Sequence, residues 1–348
     1  MRQLMFIRPG LLEWRDAPEP ELRGDREALV RPVASAPCDI DRVTILGRSP
    51  FRDAHPIGHQ CVAEVLGIGD RVRRIRPGDL VVVPPLICCG VCDRCRRGLV
   101  AHCRTVPPRS SYGFPASGDH GGLFDELVRV PFADAMLRIL PDAVTPAAAV
   151  EAGDDLLIPV EFLGRHLRRQ PGAHVLVLGG GGSEGLHGAA VARALGSTRV
   201  VYLDADKDRR TLAARLGAEP DPGPVRAELG EFEVIFDAAG DTGLLVAAVP
   251  LLAPEGHIES VGGHFAAIPL PGLRMYLQGV TFHTAIANAS RTHVRTVFDL
   301  ILRGAIDPTL VQTETLPMDA ASGALAVFTL TGPSLKPVFL RDRITQHD

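Results

Sequence analysis

A chain of 348 residues is too long for one compact core and implies about two domains. Hydrophobic residues make up 46% and charged residues 22%, an ordinary globular composition. The formal net charge of −4 argues against a general nucleic-acid binder, and no apolar run approaches the ~20 residues of a membrane span.

Taken in chain order, residues 1–10 read as a first strand ending in a turn, with an apolar stretch too short for a signal peptide. The chain is therefore expected in the cytoplasm, where disulfides are rare and clustered cysteines point to metal. From residue 4 to about 130, short apolar runs such as 27–33, 61–67 and 80–85 are punctuated by Gly and Pro. That texture predicts an all-β, barrel-like domain. After Pro146 it changes. Residues 147–169 predict helix, kinked or divided at Gly153 and Pro159. Residues 175–178 form a buried strand entering a Gly run, 189–195 a helix and 199–204 the next strand. Further strands are expected at 233–237 and 256–262. Strands alternating with helices imply a parallel, doubly wound sheet. The end, including 333–340, reads as strands and a helix returning to the first domain.

All seven cysteines lie between Cys38 and Cys103. Cys89, Cys92, Cys95 and Cys103 carry the strongest local signal: two-residue gaps let thiolates converge on one ion, and the longer gap returns a fourth. Four sulfurs complete a tetrahedron with no open position, so this zinc is expected to be structural. Cys88 is taken as an unligated neighbour.

Gly180, Gly182 and Gly185 match G-x-G-x-x-G between a strand and a helix. Such glycines permit a tight turn and let a helix N-terminus approach a pyrophosphate. Asp204 ends the next strand, where a carboxylate accepts from ribose hydroxyls and repels a 2′-phosphate. NAD is favoured over NADP, although Lys207 and Arg209 lie close by.

Cys38 and His59, each alone, read equally well as core residues. With the cysteine lobe, the glycine turn, Gly69-Asp70-Arg71-Val72 and Pro77-Gly78-Asp79, they make the chain resemble the zinc-dependent medium-chain dehydrogenase/reductase (alcohol dehydrogenase) family. The resemblance implies an α/β protein: a doubly wound Rossmann sheet at 154–290, plus an all-β GroES-like catalytic domain at 1–153 and 291–348 with its zinc lobe at about 86–105. It implies a zinc-dependent oxidoreductase acting on a small alcohol or carbonyl with NAD(H), as a homodimer or homotetramer, with no nucleic-acid or membrane partner. Catalytic ligands match Cys38, His59 and a third residue within 151–155. Counting back without a gap from Pro171 favours Asp155, counting forward from Leu140 favours Asp154, and Glu151 is third choice. Two positions depart from the pattern. Ile40 replaces the usual Ser or Thr that relays the alcohol proton, and Gln60 replaces a Glu. Water with Asp39 or His55 is a replacement route. Alternatives are reduction of an iminium or conjugated double bond, or a non-catalytic NAD-binding protein. Pocket walls are expected at 45–51 and 112–124, and His283 and Asn288 near the nicotinamide; Lys336 matches a basic position common in the family near the chain end, or is a solvated surface charge.

Overall fold

Short β-branched runs broken by Gly and Pro favour strands over helices. In the computed structural model, which describes residues 1–115, 120–331 and 336–342, the first half gives β1 (Arg2–Arg8), β2 (Leu11–Asp16), β3 (Ala28–Ser35), β4 (His55–Pro56), β5 (Cys61–Ile68), β6 (Leu80–Val83), β7 (Val128–Val130) and β8 (Arg138–Ile139). The second half supplies β9 (Val175–Leu178), β10 (Val200–Leu203), β11 (Glu219–Asp221), β12 (Phe232–Asp237), β13 (Leu252–Ser260) and β14 (Thr281–Thr284), followed by β15 (Gln312–Pro317) and β16 (Lys336–Leu340).

Two of the three sheets belong to the β-rich half. One runs β2-β1-β4, the other β15-β16-β3-β5-β6-β8 with β7 against β3. Phe339 of β16 lies opposite Ser35 of β3, so the chain end returns to the first unit. Residues 333–335 of that predicted segment lie outside the described residues. The third sheet has the order β11-β10-β9-β12-β13-β14 and is parallel throughout. β9 and β10 are buried at every residue, which explains their uninterrupted apolar sequence. Strand order reverses between β9 and β12, which opens a crevice at their carboxyl ends.

Six helices position the site and join the two units: α1 (Asp39–Ile45), α2 (Leu157–Arg169), α3 (Glu184–Ala194), α4 (Lys207–Arg215), α5 (Gly272–Gln278) and α6 (Arg291–Leu302). The predicted 147–169 helix is divided, with turns over 150–156 before α2. Pro159 falls in the first turn of α2, where its missing N–H costs no hydrogen bond. Val294, Val297 and Phe298 of α6 pack in one core with Leu157 and Val160 of α2 and Val33 and Val62 of the β-rich half. The two units therefore share buried apolar surface rather than meeting only at polar edges. Among the described residues no helix is long and apolar enough to cross a membrane.

Candidate active site and metal centres

The lobe is built by its spacing. Cys92 caps a single helical turn, Asp93–Arg96, that turns Cys95 back toward Cys89. The sulfurs of Cys89, Cys92, Cys95 and Cys103 all lie within 4.8 Å of one another. Donors surround them: Cys92 N donates to Cys89 Sγ at 3.3 Å, Cys89 N to Cys103 Sγ at 3.4 Å and Thr105 Oγ1 to Cys89 Sγ at 3.1 Å. Hydrogen bonds to sulfur favour thiolate, and the amides of Arg104 and Cys95 draw the Cys92 thiol down to about 6. Cys88 lies outside this group, and burial pushes its thiol up to about 11. Four converging sulfurs supplied with donors fit a closed zinc site. Cys92→Ser is expected to lose about one zinc per chain and to lower the melting temperature with it, because the metal's binding energy is folding energy. Unchanged zinc and melting temperature would remove this assignment.

The second group forms where α1 begins. Cys38 is the N-cap of α1, and Asp41, three residues on, accepts from Cys38 N through Oδ2 at 3.0 Å. Asp41 Oδ1 stands 3.4 Å from His59 Nδ1, which directs Nε2 toward Asp154 Oδ2 at 3.2 Å. A carboxylate behind a ligand histidine fixes the ring and its tautomer. Ligand atoms of Cys38, His59 and Asp154 lie within 4.8 Å of one another. The carboxylate in this group is Asp154 rather than Asp155, the residue favoured by gap-free counting. That count assumed no gap before Pro171, and the chain runs through turns over 150–156, where a slip of one residue exchanges the two. Asp155 Oδ1 instead accepts from Cys38 Sγ at 3.0 Å. Asp154 Oδ2 is buried without a hydrogen bond. Burial and the field of Asp154 hold the Cys38 thiol well above its usual range, a cost that a bound cation relieves. Thiol, imidazole and carboxylate together fit zinc with one open position.

Lys336 is fully buried rather than on the surface. It pairs with Asp155 and lies 3.3 Å from Glu151 Oε2, which is also 2.5 Å from His187 Nε2 of α3. Burial pushes the Glu151 carboxyl up, but Lys336 and His187 outweigh it and hold the group at about 2. Glu151 is thus engaged away from the Cys38 group. Gln60 Nε2 donates to Pro37 O at 2.9 Å and faces Asp155 Oδ2 at 3.5 Å. A carboxylate, that of Asp155, thus stands beside the Gln60 amide.

At the glycine turn, a Cβ on Gly180 would lie 2.7 Å from Ala239 Cα, and one on Gly182 would lie 2.0 Å from the Asp39 carboxylate. A Cβ on Gly185 would be 3.2 Å from Gly179 Cα, so α3 lies close on its strand. Asp39 Oδ1 accepts from Ser183 N and Oδ2 from Glu184 N, each at 3.0 Å. Asp39 is therefore engaged at the glycine turn, and His55 is tied by Nδ1 to Asp53 O at 2.7 Å. Asp204 is also engaged. Its Oδ2 accepts from Tyr202 Oη and Arg209 Nε, and its Oδ1 from Asp206 N and Arg209 Nη2, at 2.7–2.9 Å. His283 Nδ1 lies 2.6 Å from Glu259 Oε2, and Asn288 ties Glu161 to the lobe through Ala101 N at 3.3 Å.

Sequence reasoning missed Asp41 and Glu184. The Cys38-x-x-Asp41 spacing is that of a capping box and was open to view. Glu184 sits inside the glycine pattern and is buried. Burial, then Asp39, Asp154 and Asp237, push its carboxyl well above the usual range. Phe114 lies over His59 with ring centroids 4.7 Å apart and meets Phe51 edge-on at 5.5 Å. These rings give the predicted walls an apolar face, while residues 116–119 lie outside the described residues.

Residues 24–142 match the alcohol dehydrogenase GroES-like domain. An alcohol dehydrogenase of Thermus sp. ATN1 shares the whole architecture, with a TM-score of 0.89 and 29% identity over 98% of this chain and 99% of that one. The chain carries that GroES-like domain and is similar along its length to zinc-binding alcohol dehydrogenases. A probable zinc-binding alcohol dehydrogenase of Mycobacterium tuberculosis is 29% identical over 94% of this chain and 85% of its own length. An NADP-dependent isopropanol dehydrogenase of Thermoanaerobacter brockii is 27% identical over 90% and 91%. These similarities make the protein an oxidoreductase.

Proposed function

We propose that this oxidoreductase moves a hydride between NAD(H) and a small alcohol or carbonyl, with Cys38, His59 and Asp154 as the ligands of a catalytic zinc. The observation that carries the reading is the meeting of the two sites. Ser183, at the start of α3, reaches Asp155 Oδ2 at 3.3 Å, and Asp155 touches Cys38 at 3.0 Å. When bound, that ion supplies Lewis acidity at the substrate oxygen, and the lobe holds a structural ion. Around it Asp41 orients His59, and Phe114 and Phe51 exclude water from the substrate side.

Asp204 supports NAD. Because Arg209 occupies it bidentately, the margin over NADP is expected to be smaller than for a free carboxylate. The division at 153/154 and 290/291 is part of the proposal. So is self-association as a homodimer or homotetramer, supported by the exposed Leu273, Tyr276 and Leu277 on α5. Seven unpaired thiols suit a reducing cytoplasm.

The test is zinc quantification together with a screen of alcohols, polyols and aldehydes against NAD and NADP. Absence of turnover by zinc-replete protein across that screen would overturn the reading. Ile40 offers no hydroxyl, so simple primary alcohols are expected to be poor substrates. Ile40→Thr is expected to raise their oxidation by ~10²-fold, the lower end of what a positioned proton carrier contributes. Efficient ethanol oxidation by the wild type would contradict that part.

A further inference from the structure

We propose that the Asp39 carboxylate fills the seat of the dinucleotide's pyrophosphate, so that the cofactor enters only by evicting it and Asp39 sets cofactor affinity. The inference rests on the dinucleotide reading above.

The N-terminus of α3, a helix of 11 residues, presents the N–H groups of Ser183 and Glu184 to one anion. Asp39 takes both, one with each carboxylate oxygen at 3.0 Å, and its Oδ1 also accepts from Ser183 Oγ at 3.2 Å. Two N–H donors in a fork around an anion are what a phosphate requires at this position. Gly182 leaves the space for it, and the Asp39 carboxylate fills that space to within 2.0 Å of a would-be Cβ. A second acidic side chain follows Ser183 directly in the chain. Glu184 is buried, and its Oε1 makes no hydrogen bond.

An acidic residue here opposes a phosphate twice, by occupying the donors and by its charge. Arg42 stands three residues along α1, and its Nη1 lies 3.7 Å from where a Cβ of Gly181 would be. One helix thus carries both the anion that blocks the turn and a cation able to meet phosphate once that anion leaves. A charge at a helix terminus is worth up to a factor of ~30 in an equilibrium. Asp39→Asn keeps an acceptor oxygen and removes the charge.

The experiment titrates zinc-replete wild type, Asp39→Asn and Asp39→Ser with NADH and NADPH by calorimetry. Inorganic pyrophosphate is then tested by thermal shift, with zinc content measured for each protein. The expected result is at least ~tenfold tighter dinucleotide binding by the Asn variant and a pyrophosphate-dependent rise in its melting temperature that the wild type lacks. The Ser variant, which keeps a capping hydroxyl, gives the same sign if Asn perturbs the fold. Equal, measurable affinities in wild type and variants would overturn the role of Asp39 and leave the cofactor reading intact. No dinucleotide binding by any of the three folded, zinc-replete proteins would overturn the cofactor reading, and this inference with it.

Discussion

Asp154→Asn is expected to strip the ion held by Cys38 and His59 and to cut turnover by ~10²-fold or more, while the cysteine lobe keeps its own ion. The neutral amide is a poorer zinc ligand and leaves thiolate and imidazole alone on a site with an open position. Asp155→Asn is expected to behave differently. Its carboxylate lies 3.0 Å from Cys38 Sγ but also pairs with Lys336, so its loss leaves the three proposed ligand atoms in place. Zinc per chain, measured for both variants by elemental analysis and zinc-edge absorption, separates them. Retention of both ions by Asp154→Asn with loss of one by Asp155→Asn would sink the assignment and restore the gap-free count.

The second large effect is on stability. Lys336→Met is expected to destabilise the protein by ~3–5 kcal/mol at neutral pH, the usual cost of removing one partner from a buried ion pair. Methionine fits the volume, yet Glu151 and Asp155 are then left buried without their cation. The pH dependence follows from Glu151. Its folded pKa of about 2 lies below the ordinary 4.5, so its contribution is present above 4.5 and is lost as pH falls through about 2. Without Lys336 the folded pKa rises and that contribution shrinks. The gap between wild type and variant should therefore be widest near neutrality and narrow as pH falls through that window. Denaturant midpoints at neutral pH and at pH values from 4.5 down toward 2 check this, and adding Glu151→Gln should recover part of the loss. A Lys336→Met protein with the wild-type midpoint at neutral pH would show that the buried ion pairs do not stabilise the fold.

What could be read from the sequence divides along physical lines. The cysteine lobe was legible because its ligands are local: their spacing brings the sulfurs together whatever the rest of the fold does. The parallel sheet was legible because strands buried on both faces must be continuously apolar, as β9 and β10 are. The carboxylate that joins Cys38 and His59 stayed open between Asp155 and Asp154, because one residue of slip in the turns at 150–156 exchanges the two. Lys336 reads as a charged residue near the chain end, and only the pairing of β16 with β3 brings it beneath the site. Asp39 meets Ser183 across 144 residues, so no window of sequence contains both. Asp204 and Arg209 are only five residues apart, and there the fork was open to a local reading.

The hydroxyl of Ser183 lies 3.2 Å from Asp39 Oδ1 and 3.3 Å from Asp155 Oδ2, so one side chain touches the dinucleotide turn and the surroundings of Cys38 at once. Two ligands that share such a contact are expected to change one another's affinity. By thermodynamic reciprocity, whatever factor zinc occupancy imposes on dinucleotide affinity, the dinucleotide imposes on zinc affinity. Chelator titrations with and without cofactor, and cofactor titrations with and without metal, should then return a single coupling constant measured from its two ends.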